Sequence, residues 1–428
     1  MNDVANIAAL SALAWSPKPT NPPLYDVFNS TMSGPPLNDV FNSSMNDTAG
    51  LSYFCFRIPA LVRTESALIA FAEGRRNSCG DAGDVRLVSR TSRDNGATWS
   101  PIVQVQSETG HTIGNPAPIF DASTGQLHLL FSRDNLQLFS TFSSDEGASW
   151  SPRRNLTAAL VPASLDPAHA FVATGPPGGL QLASGRLVAA MYANVVLANT
   201  STTLSYAVYS DDGGATWVRG APALPGTTMY NEGEAQIAVY GSRLAMLMRG
   251  RGDFPRNAQA VNHNHALSLS DDGGATWSNS SLLHIQTTFC EGSIVGTAGG
   301  RLLISAPSTS NGGRANISVF ASAKGGGVPT FAPLTTLYEG SSAYSSMLPP
   351  ASGGADYLNL YEREGSKFLT LARFQFDEGG GWRSEFTVHT WLVHTCDFIS
   401  PTPKWRQRDG VAAATHARVG VSTEPLRC

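Results

Sequence analysis

Apolar and polar residues change places with a period of two along much of the chain. Asp84–Arg90 (DVRLVSR) and Leu204–Ser210 (LSYAVYS) are clear examples. A period of two puts alternate side chains on opposite faces, the pattern of a half-buried β-strand. No helical period of comparable strength is sustained. Several strand-like stretches run into one signal: SRDNGATW from Ser92, SSDEGASW from Ser143, and SDDGGATW from both Ser210 and Ser270. All four fit Ser-x-Asp-x-Gly-x-x-Trp. Asp94, Asp145, Asp212 and Asp272 can accept bonds from nearby backbone N–H groups and stabilise a turn. Gly96, Gly147, Gly214 and Gly274 supply the positive φ of a tight turn. Trp99, Trp150, Trp217 and Trp277 can pin the turn to the sheet beneath.

These signals recur about 50 to 67 residues apart, enough for one four-stranded sheet per repeat. Such sheets set radially make a β-propeller. The pattern predicts an all-β fold, a six-bladed β-propeller of four-stranded antiparallel sheets over residues 51–395. The fifth and sixth blades lack the turn signal, and Ala321–Phe331 (ASAKGGGVPTF) reads as a worn copy. Residues 1–50 differ. They hold a tandem duplication, PPLYDVFNSTM from Pro22 and PPLNDVFNSSM from Pro35, with a 13-residue period. So much Pro, Asn and Ser predicts a largely disordered lead-in, with a duplicated edge segment as the alternative. Residues 396–428 form a C-terminal tail with no assigned role.

Composition narrows the picture. Among 428 residues there are 42 Gly and 26 Pro, and 14% are charged, which suits a turn-rich β protein. A formal charge of −4 gives no footprint for nucleic acid, so any anion site must be local. The five cysteines form no C-x-x-C pair, which argues against a zinc cluster; one disulfide is allowed, of unspecified pairing. Ile7–Trp15 is apolar but too short to span a bilayer, and Asp3 stands where a secretory leader would be basic. Sequons at Asn29, Asn42, Asn46, Asn155, Asn199, Asn279 and Asn316 lean toward a secretory or endomembrane route, with the cytoplasm as the alternative.

The informative residues are charges placed inside apolar runs. Arg57 lies in FRIPAL, and Arg75, Arg76 and Asp81 in FAEGRRNSCGDAGD. Glu234 lies in NEGEAQIAVY, Arg249 ends RLAMLMR, Arg314 lies in NGGRANISVF and Tyr344 in SSAYSSML. Alone, each reads blandly, as a rim arginine, a turn aspartate or a packed tyrosine. Inner propeller strands converge on one axis, so distant positions can share a cup. Several arginines in one cup make sense if the ligand is a carboxylate, which guanidinium binds as a bidentate fork.

FRIP followed by four Asp-box turns resembles the exo-α-sialidase (neuraminidase) family, over roughly residues 51–395. The resemblance implies a six-bladed propeller acting on sialylated glycoproteins, oligosaccharides or gangliosides. It implies that Arg57, Arg249 and Arg314 clamp the substrate carboxylate, while Arg75 lines the same pocket near Asp81. Asp81 is implied as acid/base, Tyr344 as nucleophile and Glu234 as its base. Neighbours compete in each motif: Arg76 with Arg75, Asp84 with Asp81, Glu232 with Glu234 and Arg251 with Arg249. HTIGNPAPIFD matches the family's Asn-Pro turn. ATGPPGGLQL departs from it, with Pro177 and Gly178 where Gly-His is usual, which leaves contacts to the glycerol side chain or leaving group open.

The chemistry explains the phenol. Sialic acid bears a carboxylate on its anomeric carbon, so a carboxylate nucleophile would meet a like charge. Sialidases that use a tyrosine nucleophile depart from the two-carboxylate glycosidase scheme. A phenol titrates near ~10 and needs a base at neutral pH. Protein groups fill every role, so no cofactor and no metal is implied. His263 and His265 share a strand face but lack a third ligand, and Arg251-Gly252-Asp253 is a chance tripeptide. A trans-sialidase and a non-catalytic sialic-acid-binding propeller are the rival readings.

Overall fold

The computed structural model describes residues 38–377, apart from 227–228, 253–264, 311 and 326. Four sheets repeat one plan. The first is β2 (Cys55–Arg63), β3 (Leu68–Arg75), β4 (Val85–Ser92) and β5 (Val103–Gln106), in that order. The second is β6 (Ile113–Asp121), β7 (Gln126–Arg133), β8 (Gln137–Ser143) and β9 (Arg154–Asn155). The third is β10 (Val172–Gln181), β11 (Leu187–Leu197), β12 (Thr200–Ser210) and β13 (Val218–Ala223). The fourth is β14 (Met229–Tyr240), β15 (Arg243–Gly252), β16 (His265–Ser270) and β17 (Ser281–Leu282). Each is an antiparallel meander. One short helical turn, α1 (Thr157–Leu160), is the only α-helix among the described residues.

The fifth sheet corrects the expectation of six separate four-stranded sheets. It has seven strands, in the order β1 (Asn38–Asn42), β23 (Phe368–Gln375), β22 (Asp356–Arg363), β21 (Phe331–Leu348), β20 (Ala315–Ser322), β19 (Leu302–Pro307) and β18 (Ser293–Gly296). The cause is β21, 18 residues long. Its first part pairs with β20 as far as Ser341, and its remainder pairs with β22 from Ser342 onward. The chain passes from one partner to the next without a turn, so both sets of strands share one ladder. The architecture is all-β and propeller-like, built of small sheets.

Residues 38–50 are also corrected. Part of the segment expected to be disordered is an edge strand, as the alternative reading allowed. β1 pairs antiparallel with β23, and Val40 and Phe41 are fully buried. Phe41 stacks at 5.1 Å on Phe56 of β2, and Asp39 binds Arg363 and Thr370. Thus the segment before β2 is fastened to the last described strand. The first copy of the duplication and residues 378–428 lie outside the described residues.

Each Asp-box links the third strand of a sheet to the fourth. In the first box, Ser92 Oγ donates to Asp94 at 2.7 Å and accepts from Gly96 N–H at 2.7 Å, while Asp94 accepts from Thr98 N–H at 2.8 Å. The other three boxes repeat these bonds. Gly96 has φ +88, and a Cβ there would sit 2.7 Å from Leu371 Cδ2, so glycine is required twice over. The tryptophans reach the neighbouring sheet. Trp150 meets Phe71 edge-on at 5.9 Å, and Trp217 meets His128 at 6.4 Å. The boxes therefore staple sheet to sheet, around cores that lie between adjacent sheets.

One device was not visible in the sequence. The first strand of each four-stranded sheet is bulged near the same level: between Arg57 and Ala60, Gly114 and Ala117, Thr174 and Gly179, and Gly233 and Ala235. Ile58, Asn115 and Glu234 have positive φ there. A bulge turns a side chain out of the regular alternation, and these bulges lie where the candidate residues sit.

Candidate active site

β2 carries Arg57, β3 Arg75, β14 Glu234, β15 Arg249 and β21 Tyr344; Arg314 immediately precedes β20, and Asp81 lies in the β3–β4 loop. Tyr344 is the meeting point. Its ring is buried against Ile58 and Cys290. Its hydroxyl donates to Glu234, and Arg249 Nη1 donates to that hydroxyl at 3.1 Å and to Glu234's other oxygen. The Arg57 and Arg314 guanidiniums lie 4.9 and 5.6 Å from the ring centroid. All three arginines of the expected clamp therefore face one point, and Tyr344 is next to Glu234.

Burial, then the negative charge of Glu234, pushes the Tyr344 phenol well above its usual range. Among the described residues, its hydroxyl hydrogen is directed at Glu234. Arg249 lies 4.0 Å from the Phe289 ring centroid. Burial opposes its charge, but Glu234 and Tyr344 outweigh burial and its pKa rises. Arg314 is exposed and donates to the Phe289 carbonyl at 3.3 Å, leaving donors for a ligand.

Two buried acids hold the other arginines. Glu362, 1% exposed, accepts from Arg57 Nε at 3.2 Å and from the Ile58 N–H at 2.9 Å. Glu73 accepts from Arg75 Nη2 at 2.7 Å and from the Asn115 N–H at 2.9 Å. Arg75 gives its Nη1 to the Cys79 carbonyl at 2.6 Å and to Asp81 at 2.8 Å. Arg57 Nη1 reaches the same Asp81 oxygen at 3.1 Å. Asp81 is 80% exposed on its side chain. Burial raises its pKa, but Arg75, Arg57 and Arg314 outweigh that and hold it below the ordinary carboxylate range. A disulfide joins Cys55 to Cys79, two residues from Asp81.

The competing neighbours point elsewhere. Arg76 donates to the Ser52 carbonyl and stacks near Tyr53 at 5.7 Å. Asp84 pairs with Arg86 at 3.0 Å. Glu232 is fully buried against Ser280, its carboxyl pushed up to about 7 by burial. The Arg251 side chain lies outside the described residues, as do His263 and Asp253. His265 is buried against Thr287 at 2.9 Å. Among the described residues no group of three or more His, Cys, Asp or Glu could hold a metal, and no helix is long and apolar enough to cross a membrane.

Sequence reasoning missed Glu73, Glu362 and the disulfide pairing. A usable signal existed for the acids. Glu73 sits two residues before Arg75, on the same strand face, and Glu362 ends an apolar run as the arginines do. Beside Glu234 opens a cavity of about 550 Å³, lined by Tyr192, Asn194, Thr203, Arg249 and Phe289. A second, of about 250 Å³, borders Arg57, Cys79, Arg314 and Glu362. Together they place acceptors, donors and apolar walls around one phenol, a setting for a small acidic ligand.

The family model of the BNR repeat-like domain matches residues 66–356. The chain belongs to the BNR repeat-like family. This BNR-repeat protein is 30% identical to Sialidase-3 of Bos taurus over 281 residues, 58% of this chain and 62% of that one. It is 31% identical to an exo-alpha-sialidase of Arthroderma benhamiae over 172 residues, 33% of this chain and 41% of the relative. It thus spans less than two thirds of these curated relatives. Among solved structures, Hadza microbial sialidase Hz136 superposes with a TM-score of 0.61 at 25% identity, over 75% of this chain and 66% of that one. Trypanosoma rangeli sialidase gives 0.59 at 17% identity, over 77% and 56%, a likeness of fold. The chain is thus similar to sialidases over part of its length, in sequence and in fold.

Proposed function

We propose that this protein is a retaining exo-α-sialidase, hydrolysing terminal α-linked sialic acid from glycoproteins, oligosaccharides or gangliosides. One observation carries the reading: a buried tyrosine hydroxyl bonded to a carboxylate and to Arg249, with the Arg57 and Arg314 guanidiniums over its ring. Arg57, Arg249 and Arg314 grip the sugar carboxylate. Tyr344 attacks the anomeric carbon as Glu234 takes its proton. Asp81 protonates the departing oxygen, then deprotonates the incoming water. Two displacements at one carbon retain configuration. Arg75 holds Asp81 and reaches the pocket edge. The Cys55–Cys79 disulfide favours an oxidising compartment.

The same reading counts six blades. The seven-stranded sheet is taken as two, β18–β19–β20 with the first part of β21, and the rest of β21 with β22, β23 and β1. The catalytic domain then begins with the closing strand β1 and extends toward residue 395, with 396–428 as a separate tail.

The direct test is release of a fluorogenic aglycone from an α-sialoside, with a neutral hexoside as control. Release from the sialoside alone is expected; equal or absent release from both sinks the reading. A pH profile tests Asp81. Its arginine neighbours keep it ionised in the empty site. A bound carboxylate cancels much of their charge, so burial dominates and its pKa rises in the complex. A group needed in its protonated form fails as pH climbs past its pKa. Turnover is therefore best at mildly acidic pH, and the alkaline limb of kcat lies above that of kcat/KM. Coincident limbs, or a rate still rising above about pH 8, contradict the assignment.

A further inference from the structure

Asp81 stands on weak ground for a group that must deliver a proton. The loop between β3 and β4 (residues 76–84) has no strand pairing, and two glycines, Gly80 and Gly83, the latter at φ +136. Such a segment is costly to hold in one geometry. Hydrogen bonds tether its end, from the Arg76 N–H to the Asp84 carbonyl at 3.1 Å, between Gly83 and Thr112 at 3.0 and 3.3 Å, and from Arg86 to the Asp84 carboxylate at 3.0 Å. Near Asp81 the covalent tether is the disulfide. Cys55 opens β2, two residues before Arg57, and lies opposite Arg75 in the strand register. Cys79 is bonded to it across 24 residues of chain, and the Cys79 carbonyl accepts from Arg75.

From this placement we infer that the Cys55–Cys79 disulfide is a positioning element for the acid. It fixes the loop so that the Asp81 carboxyl stays against Arg57 and Arg75, over the departing oxygen. The other half of the machinery stands apart. Tyr344, Glu234 and Arg249 sit on β21, β14 and β15, outside the two segments that the disulfide joins. Opening the bond therefore impairs both steps that use Asp81, leaving-group protonation and activation of the incoming water, and spares attack by Tyr344. A thiol reductant in the surroundings then lowers activity on natural glycosides without abolishing the site. This inference rests on the sialidase reading and on Asp81 as its acid.

Leaving-group dependence reads it out, because an acidic phenol departs without a proton and a sugar alcohol does not. The full chain is compared with Cys79→Ser, and with wild type treated with dithiothreitol and then reoxidised. The substrates are methylumbelliferyl sialoside and sialyllactose. Loss of general-acid help is worth ~10²–10⁴-fold, and partial misplacement is expected to cost kcat on sialyllactose at least ~10-fold. The pre-steady-state burst of aryl release should slow less than ~3-fold, since that step needs no proton from Asp81, and reoxidation should restore the loss. Cys79→Ser should be indifferent to reductant, which excludes effects through Cys290. Should that variant not fold, the reduction cycle alone decides. Equal losses in the aryl-release burst and in kcat on sialyllactose, or none in either, overturn the inference while leaving the sialidase reading intact. Oxidised wild type inert toward both substrates overturns the reading and the inference together.

Discussion

Tyr344→Phe should give a folded protein that still binds sialic acid but turns it over at least ~10³-fold more slowly. The ring stays and keeps its packing on Ile58 and Cys290. Only the hydroxyl goes, with its bonds to Glu234 and Arg249. Glu234 is not stranded, since Arg249 still donates to it. Stability should change by no more than about 1 kcal/mol. The clamp arginines are untouched, so affinity should hold. Without the oxygen, no covalent step through this residue is possible, and any residue of activity must come from direct attack by water. Titration calorimetry and single-turnover kinetics check both halves. Near-normal turnover in this variant would falsify the nucleophile assignment.

Arg57→Met should damage both stability and recognition, for separable reasons. Glu362 is buried, and Arg57 is the cation paired with it. Removing one member of a buried pair costs ~3–5 kcal/mol, because the other charge is left uncompensated. The Ile58 N–H and Ser366 hydroxyl bonds to Glu362 remain, but they carry no charge. Adding Glu362→Gln removes the stranded charge and should recover most of the stability in chemical denaturation. It cannot recover the clamp. Loss of one guanidinium from a desolvated carboxylate contact costs ~2–5 kcal/mol, at least ~30-fold in affinity. The double variant should therefore be stable and bind poorly. A double variant as unstable as the single one refutes the account of Glu362; one with normal affinity refutes the clamp role of Arg57.

Features with a short period were legible in the sequence. Strand alternation and the four Asp-box turns each lie within a few residues, and each has a local cause. The arginines, Asp81, Glu234 and Tyr344 stood out because a charge or phenol in an apolar run is costly without a partner. Their partners did not stand out, since Glu362 lies 305 residues from Arg57. The inner-strand bulges were hidden too. Ile58 takes φ 54, which no β-branched residue prefers, and only the surrounding sheet imposes it. β21 was not foreseen as one long strand, because its change of partner at Ser341–Ser342 falls inside a continuous strand and not at a turn. β1 was read from its polar composition. Two apolar residues sufficed once β23 offered an open edge and Phe56 a ring to stack on.

The pairing of β1 with β23 sets a timetable for the molecule's birth. Asp39 accepts a hydrogen bond from Thr370, 331 positions later. The ribosome releases Phe41 long before its docking edge, so the apolar pair must wait unsheltered while the intervening sheets are made. Until that edge emerges the ring of sheets stays open, and the carboxylate grip near Arg57 and Glu362, on β2 and β22, cannot be complete. Competence to bind is thereby deferred until β22 and β23 have been made.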